Sequence, residues 1–259
     1  MDNIKLLNLQ ELASTGNISA IVSLIDFYKE NGDYSKAFLT AQWFNYFPSG
    51  VGYRYLAEFY LKGIGTIKNI DKAVEYYQKG FELGDYDSGY QLSLYHIKNK
   101  DYSSTLKYLF VGIENNHIPS IKLLANMYIN GDGVSKDAQI AINLLNKAKE
   151  LGDIKVIHQL ALLYYSLEEY NKAFECFKKG ADNGDLDSIY HLGLCYAKGL
   201  GVRQDFYLAR AEYEKAAKEY EPRSLYNLSL YYRNGISVNQ NSELADRLLE
   251  QAYEHGFKK

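Results

Sequence analysis

Apolar side chains recur along this chain with a helical period. A leucine stands at seven regularly paced positions: Leu24, Leu56, Leu92, Leu124, Leu160, Leu192 and Leu228. Four residues before each is a small or slim residue: Ala20, Gly52, Ser88, Ser120, Val156, Ser188 and Ser224. The position after each leucine is mostly small: Ile25, Ala57, Ser93, Ala125, Ala161, Gly193 and Ser229. Four residues after it come Tyr28, Tyr60, His96, Tyr128, Tyr164, Tyr196 and Tyr232. Offsets of four, five and eight share one face of a helix but not of a strand. Small residues on that face let another helix approach closely, while Leu and Tyr fill the remaining space.

A second set of columns predicts a partner helix in each unit. Ala37, Ala73, Thr105, Ala141, Ala173, Ala209 and Ala245 mark it, and seven residues later come Phe44, Gly80, Gly112, Ala148, Gly180, Ala216 and Ala252. Four residues further on stand Gly84, Gly152, Gly184 and Gly256, with Pro48, Asn116 and Tyr220 in the other copies. Glycine there suits a left-handed helix terminator, and the aspartate that follows at Asp85, Asp153 and Asp185 suits a cap for the next helix.

The opening residues are separated by 32, 36, 32, 36, 32 and 36 positions. The extra turn sits between the paired helices, where long units carry Gly63-Ile64-Gly65, Gly131-Asp132-Gly133 and Gly199-Leu200-Gly201 before caps at Asn69, Asp137, Asp205 and Asn241. Short units instead place Tyr34, Tyr102 and Tyr170 ahead of the second helix, and the last unit has Asn234-Gly235-Ile236-Ser237. The expected architecture is an all-α solenoid of seven antiparallel helix-pair repeats, beginning near residues 18, 50, 86, 118, 154, 186 and 222. Residues 1–17, with Leu6, Leu7, Leu9, Leu12 and Ala13 ending at Gly16, read as a lone capping helix ahead of a repeat domain over 18–259. The C-terminal end shows no such extra helix, so Leu248, Leu249, Ala252 and Tyr253 are expected to be partly bare and open to self-association.

Composition narrows the function. The net charge is −3 and the pI about 6.0, which disfavours a phosphate-binding surface. An RNA-reading helical repeat is therefore a remote alternative. Cys176 and Cys195 supply neither a disulfide framework nor metal spacing. The start, Met1-Asp2-Asn3-Ile4-Lys5, is not that of a signal peptide, and no apolar run is long enough to span a bilayer; the expectation is a cytoplasmic protein. No nucleophile–base–orienter set appears, so no enzyme, metal or cofactor is expected. The glycine pairs follow helices and precede no Gly-Lys-Ser/Thr, which excludes a phosphate loop.

The run Ser188-Ile189-Tyr190-His191-Leu192-Gly193-Leu194-Cys195-Tyr196-Ala197-Lys198-Gly199-Leu200-Gly201-Val202, with Lys72-Ala73-Val74-Glu75-Tyr76-Tyr77 for the second helix, resembles the Sel1-like repeat family of tetratricopeptide relatives over about residues 18–257. The resemblance implies a right-handed superhelix acting as a protein-binding scaffold or adaptor, in bacteria also as a toxin-neutralising immunity protein. Some secreted members staple each repeat with cysteines, and this chain departs from them.

In such stacks the first helices line a concave face, and the positions two and three after each opening residue project into it. The candidate protein-binding residues there are Arg54, Tyr55, Tyr90, Gln91, Lys122, His158, Tyr190, His191, Tyr226 and Asn227. They mix aromatic, charged and hydrogen-bonding groups, as binding hot spots do. The column six after the opening residue runs Asp26, Glu58, Leu94, Asn126, Leu162, Leu194 and Leu230.

Overall fold

The computed structural model describes residues 3–258. Among them are fifteen α-helices, two 3-10 turns and no strand. The chain forms two compact units, Met1–Asp137 and Ala138–Lys259. The first holds α1 (Asn3–Ser14), α2 (Ile18–Glu30), α3 (Tyr34–Ala41), α4 (Gly50–Lys62), α5 (Ile70–Glu82), α6 (Tyr86–Lys98), α7 (Tyr102–Glu114) and α8 (Ile118–Asn130). The second holds α9 (Ala138–Glu150), α10 (Ile157–Ser166), α11 (Tyr170–Asp182), α12 (Leu186–Lys198), α13 (Phe206–Lys218), α14 (Pro222–Asn234) and α15 (Ser242–Glu254). Within each unit every helix packs on the one before and the one after it.

Short polar side chains start these helices. Asp85 accepts from the Ser88 amide, Asp185 from that of Ser188, Asn69 from that of Lys72 and Asn241 from that of Leu244. Each satisfies a donor that the first turn leaves without an intrahelical partner. Left-handed residues end them: Gly84 and Gly184 lie at φ 82° and 79°, and Asn116 and Tyr220 adopt the same region at 58° and 57°. Pro48 departs from this pattern. There α3 stops at Ala41 and continues as a 3-10 turn, Gln42–Asn45, well ahead of the proline.

All five packing columns other than the tyrosines are buried throughout, the seven leucines at 5% exposure or less. Successive repeats touch where two small residues meet. A Cβ on Gly80 would lie 2.5 Å from the Ser88 hydroxyl, and one on Gly112 would lie 2.5 Å from that of Ser120. Gly180 meets Ser188 in the same way. At the first junction the sizes are reversed, with the Phe44 ring filling the space over Gly52. The half-buried tyrosines sit under lysines of the following helix. Lys36, Lys72 and Lys172 lie over the rings of Tyr28, Tyr60 and Tyr164 at 5.7, 5.1 and 5.3 Å. This cation–π contact explains why a lysine precedes the buried alanine in those repeats.

The loops of the long repeats seat on the preceding repeat. Gly65 lies against the Tyr34 carbonyl, Gly133 against the Tyr102 ring, and Gly201 against the Tyr170 carbonyl. In the last repeat the left-handed residue is Ser237, whose hydroxyl donates to the Phe206 carbonyl at 3.2 Å while its own carbonyl accepts from Arg210 at 2.8 Å. Every loop residue of this type thus rests on the first residue of the second helix before it.

At the N-terminal end Leu6 and Leu9 pack on the cluster that contains Ala13, Ile21 and Leu24. At the other end Leu248 and Ala252 are buried rather than bare, Tyr253 is exposed, and Phe257 folds back onto Tyr226. Among the described residues no helix is long and apolar enough to cross a membrane.

Two substitutions test this packing. Leu192→Ala is expected to lower stability by about 2–5 kcal/mol in chemical denaturation. Gly201→Ala combines a left-handed backbone with a collision against the Tyr170 carbonyl, whereas Gly184→Ala meets no atom within 4 Å. Thermal melts should show a larger loss for Gly201→Ala; the Gly184 variant should lose only the roughly 1–2 kcal/mol of left-handed strain.

Candidate protein-binding face

The ten candidate side chains are all half-buried, because they lie two or three positions from a residue at the helix contact. In the first unit α4 carries Arg54 and Tyr55, α6 carries Tyr90 and Gln91, and α8 carries Lys122. In the second, α10 carries His158, α12 carries Tyr190 and His191, and α14 carries Tyr226 and Asn227.

Many of these groups reach toward the next first helix in their unit. Arg54 Nε donates to the Asp85 carboxylate at 3.0 Å, and its fork also lies near Asp87 at 3.6 Å. Burial opposes the Arg54 charge, but Asp85 and Asp87 outweigh it and its pKa is raised. The Tyr55 hydroxyl donates to Asp26 at 3.2 Å; burial, and then that carboxylate, push its pKa up to about 12. Tyr90 meets the ring of His117, whose Nε2 lies 3.1 Å from Asp87 and whose Nδ1 lies 2.8 Å from the Ser120 hydroxyl.

The second unit repeats the device. His158 Nδ1 is 3.0 Å from the Ser188 hydroxyl and 3.3 Å from Asp185. The Arg223 guanidinium covers the Tyr190 ring at 4.3 Å, and it pairs with Glu221 at 2.6 Å and with Asp187. The Asn227 amide lies beside the Tyr190 and Tyr213 hydroxyls. Tyr226 stacks on Phe257 at 4.2 Å. His191 stacks on Phe177 at 4.8 Å and lies 5.6 Å from the His158 ring. Burial, and then the neighbouring His158, lower its pKa to about 4.

The fold sets the His158 and His191 rings side by side and brings Asp185 to His158. Asp85 and Asp185 were legible only as caps. A cap uses part of its carboxylate on the first turn, which leaves acceptor capacity for a side chain about thirty residues upstream. Glu221, Arg223, Phe177 and Phe257 also belong to this face and carried no repeat signal.

His158, Ser188 and Asp185 contain the residue types of a hydrolytic triad. However, hydroxyl and carboxylate meet the same ring nitrogen, and Ser188 is fully buried, so no proton relay runs through the ring. Burial raises the Cys195 thiol to about 11, which keeps it protonated and unreactive at neutral pH. Among the described residues no three His, Cys, Asp or Glu side chains converge to hold a metal ion.

The depressed His191 pKa makes stability depend on pH. The unfolded chain binds a proton there near pH 6.5 and the folded chain only near 4. The stabilisation is therefore complete above about 6.5 and is lost as the pH falls toward 4. Melting temperatures of the wild type should drop between pH 7 and 5, and His191→Phe, which keeps the stack on Phe177, should flatten that dependence.

The comparisons with known proteins agree with this geometry. The Sel1 repeat matches residues 51–85, 119–153, 158–185, 186–220 and 222–257, more than half of the chain. An uncharacterized Sel1-like repeat-containing protein of Schizosaccharomyces pombe is 24% identical over 189 residues, which cover 62% of this chain and 28% of that protein. The DAP3-binding cell death enhancer 1 of Rattus norvegicus is 38% identical over 84 residues, 31% of this chain and 16% of that protein. The chain thus spans less than a third of the length of these curated relatives. A protective antigen of uropathogenic Escherichia coli strains, which displays an SLR fold, superimposes with a TM-score of 0.72 at 24% identity; the match covers 95% of this chain and 57% of the other. With its helix pairs, its packing columns and these matches, the chain belongs to the Sel1 repeat family.

Proposed function

We propose that this chain is a non-catalytic scaffold that holds a protein or peptide against the exposed sides of its first helices. The observation that carries the reading is the leucine column of the second unit, Leu162, Leu194 and Leu230. Leu162 is 39% exposed and the other two are half-buried. It lies beside Tyr190, His191, Tyr226 and Asn227, amid aromatic rings and amides. The charges around this face neutralise one another: Arg223 with Glu221 and Asp187, and Arg233 with Asp246 at 2.6 Å. An apolar stripe with rigid aromatics and few uncompensated charges suits an uncharged or apolar stretch of a partner. The first unit offers a more polar version, with Asp26, Glu58 and Asn126 in the same column and Arg54, Tyr55, Tyr90, Gln91 and Lys122 beside it. The name of the rat relative, which describes binding to another protein, is in keeping with this role.

Leu162→Asp alters the stripe without touching the buried columns. It should weaken capture of the partner by at least tenfold while leaving the circular-dichroism spectrum and melting temperature unchanged. Cross-linking mass spectrometry of the captured complex should place the contacts on first helices. Cross-links confined to second helices would refute the assignment.

A further inference from the structure

The loop of each long repeat rests on the start of the preceding second helix, and one junction in the first unit has no such loop. Gly65 covers Tyr34, Gly133 covers Tyr102, Gly201 covers Tyr170 and Ser237 covers Phe206. The repeat after α5 is a short one, and its helices α6 and α7 are joined by Asn99, Lys100 and Asp101 alone. Among the described residues no such loop lies over Ile70, the residue equivalent to Tyr34 and Phe206. A hollow of about 860 Å³ remains between α5 and the C-terminal half of α6.

The lining of this hollow indicates what it takes. Leu61, Ile70, Val74 and Leu94 give it apolar walls, and Ile70 and Leu94 are 44% and 37% exposed. Lys68 and Lys98 stand in its rim, both exposed. Among the described residues neither side chain has an ion pair or hydrogen bond. Asp71 is the one acidic lining residue, and the amide end of α5, whose cap is Asn69, adds positive potential. In the second unit the chain itself enters the equivalent space beside Phe206 and Arg210, although the Phe206 side chain stays partly exposed. There Ile236 packs on the cluster of Tyr213 and Tyr231, and Ser237 bonds to both Phe206 and Arg210. The filler in that case is a short irregular segment with an apolar side chain directed inward.

We infer that the hollow beside α5 and α6 is a docking site for an extended segment of a partner protein that carries an apolar side chain flanked by carboxylates. The apolar group takes the place that Ile236 occupies in the second unit, and the carboxylates meet Lys68 and Lys98. The site specifies a partner chemistry for the scaffold reading and rests on it, but it uses different side chains from the leucine stripe of the second unit.

The probe is a fluorescein-labelled, end-blocked peptide with the sequence of Gly235-Ile236-Ser237-Val238 flanked by two glutamates on each side. Fluorescence anisotropy with the full chain should saturate. The Lys68→Glu, Lys98→Glu double variant should bind at least tenfold more weakly, as should a peptide flanked by lysines. Replacing Asn99–Asp101 with the seven residues Gly235–Asn241 should fill the hollow, raise the melting temperature and abolish peptide binding. If that replacement does not fold, the lysine variant and the lysine-flanked peptide decide the matter. No saturation by about 1 mM peptide, or equal binding by the acidic and basic peptides, overturns the inference. So does a self-association of the chain in analytical ultracentrifugation that the lysine variant abolishes, since it would put a second copy in the hollow. Loss of partner capture in Leu162→Asp, with no peptide bound at α5, would leave the scaffold reading standing and remove this one.

Discussion

The distance between neighbouring helix pairs in this chain is set where a small side chain of one helix meets a small side chain of the next. Gly80 against Ser88, Gly112 against Ser120 and Gly180 against Ser188 leave no room for an added carbon. That approach brings Leu92, Leu124 and Leu192 into full contact with their surroundings and leaves the tyrosines half-covered at the edge. The contact tolerates exchange of bulk, as Phe44 over Gly52 demonstrates, because the sum of the two side chains matters rather than which helix supplies it.

Loop length follows from the same stacking. A long repeat projects its Gly-x-Gly loop backward onto the second helix of its predecessor, and backbone meets backbone at Gly65 and Gly201. The short repeat begins its second helix almost at once, with a tyrosine that serves as the seat. Alternation of the two therefore gives alternating covered and uncovered helix starts. The last repeat is long after a long one, and there a serine can replace the glycine because its hydroxyl finds the Phe206 carbonyl.

Electrostatics on the first-helix faces is mostly internal. Asp85 and Asp185 each serve as a cap and as an acceptor for a side chain of the preceding repeat, so one carboxylate ties local helix formation to the register between repeats. His191 remains neutral because it is packed on Phe177 beside another histidine, where a proton would be poorly solvated. Compensated charge and exposed leucine together give the second unit a surface for apolar contact, whereas Lys68 and Lys98 lie at the hollow of the first unit.

The repeat count, the buried columns and many of the residues that start and stop the helices were legible in the sequence, because each depends on local spacing and on backbone preferences that recur; the early end of α3 was not. The same offsets put the candidate residues on the first helices. Their burial and what their side chains touch were not legible. Arg54 finds Asp85, His158 finds Asp185, and Tyr226 finds Phe257 across separations that no local pattern encodes, and such pairs form only once small residues have fixed the distance between helices. Burial of Leu248 and Ala252 was likewise decided by the fold, which brings the last helix against its neighbour, and the opening beside α5 exists only because a loop is missing from the repeat that follows it.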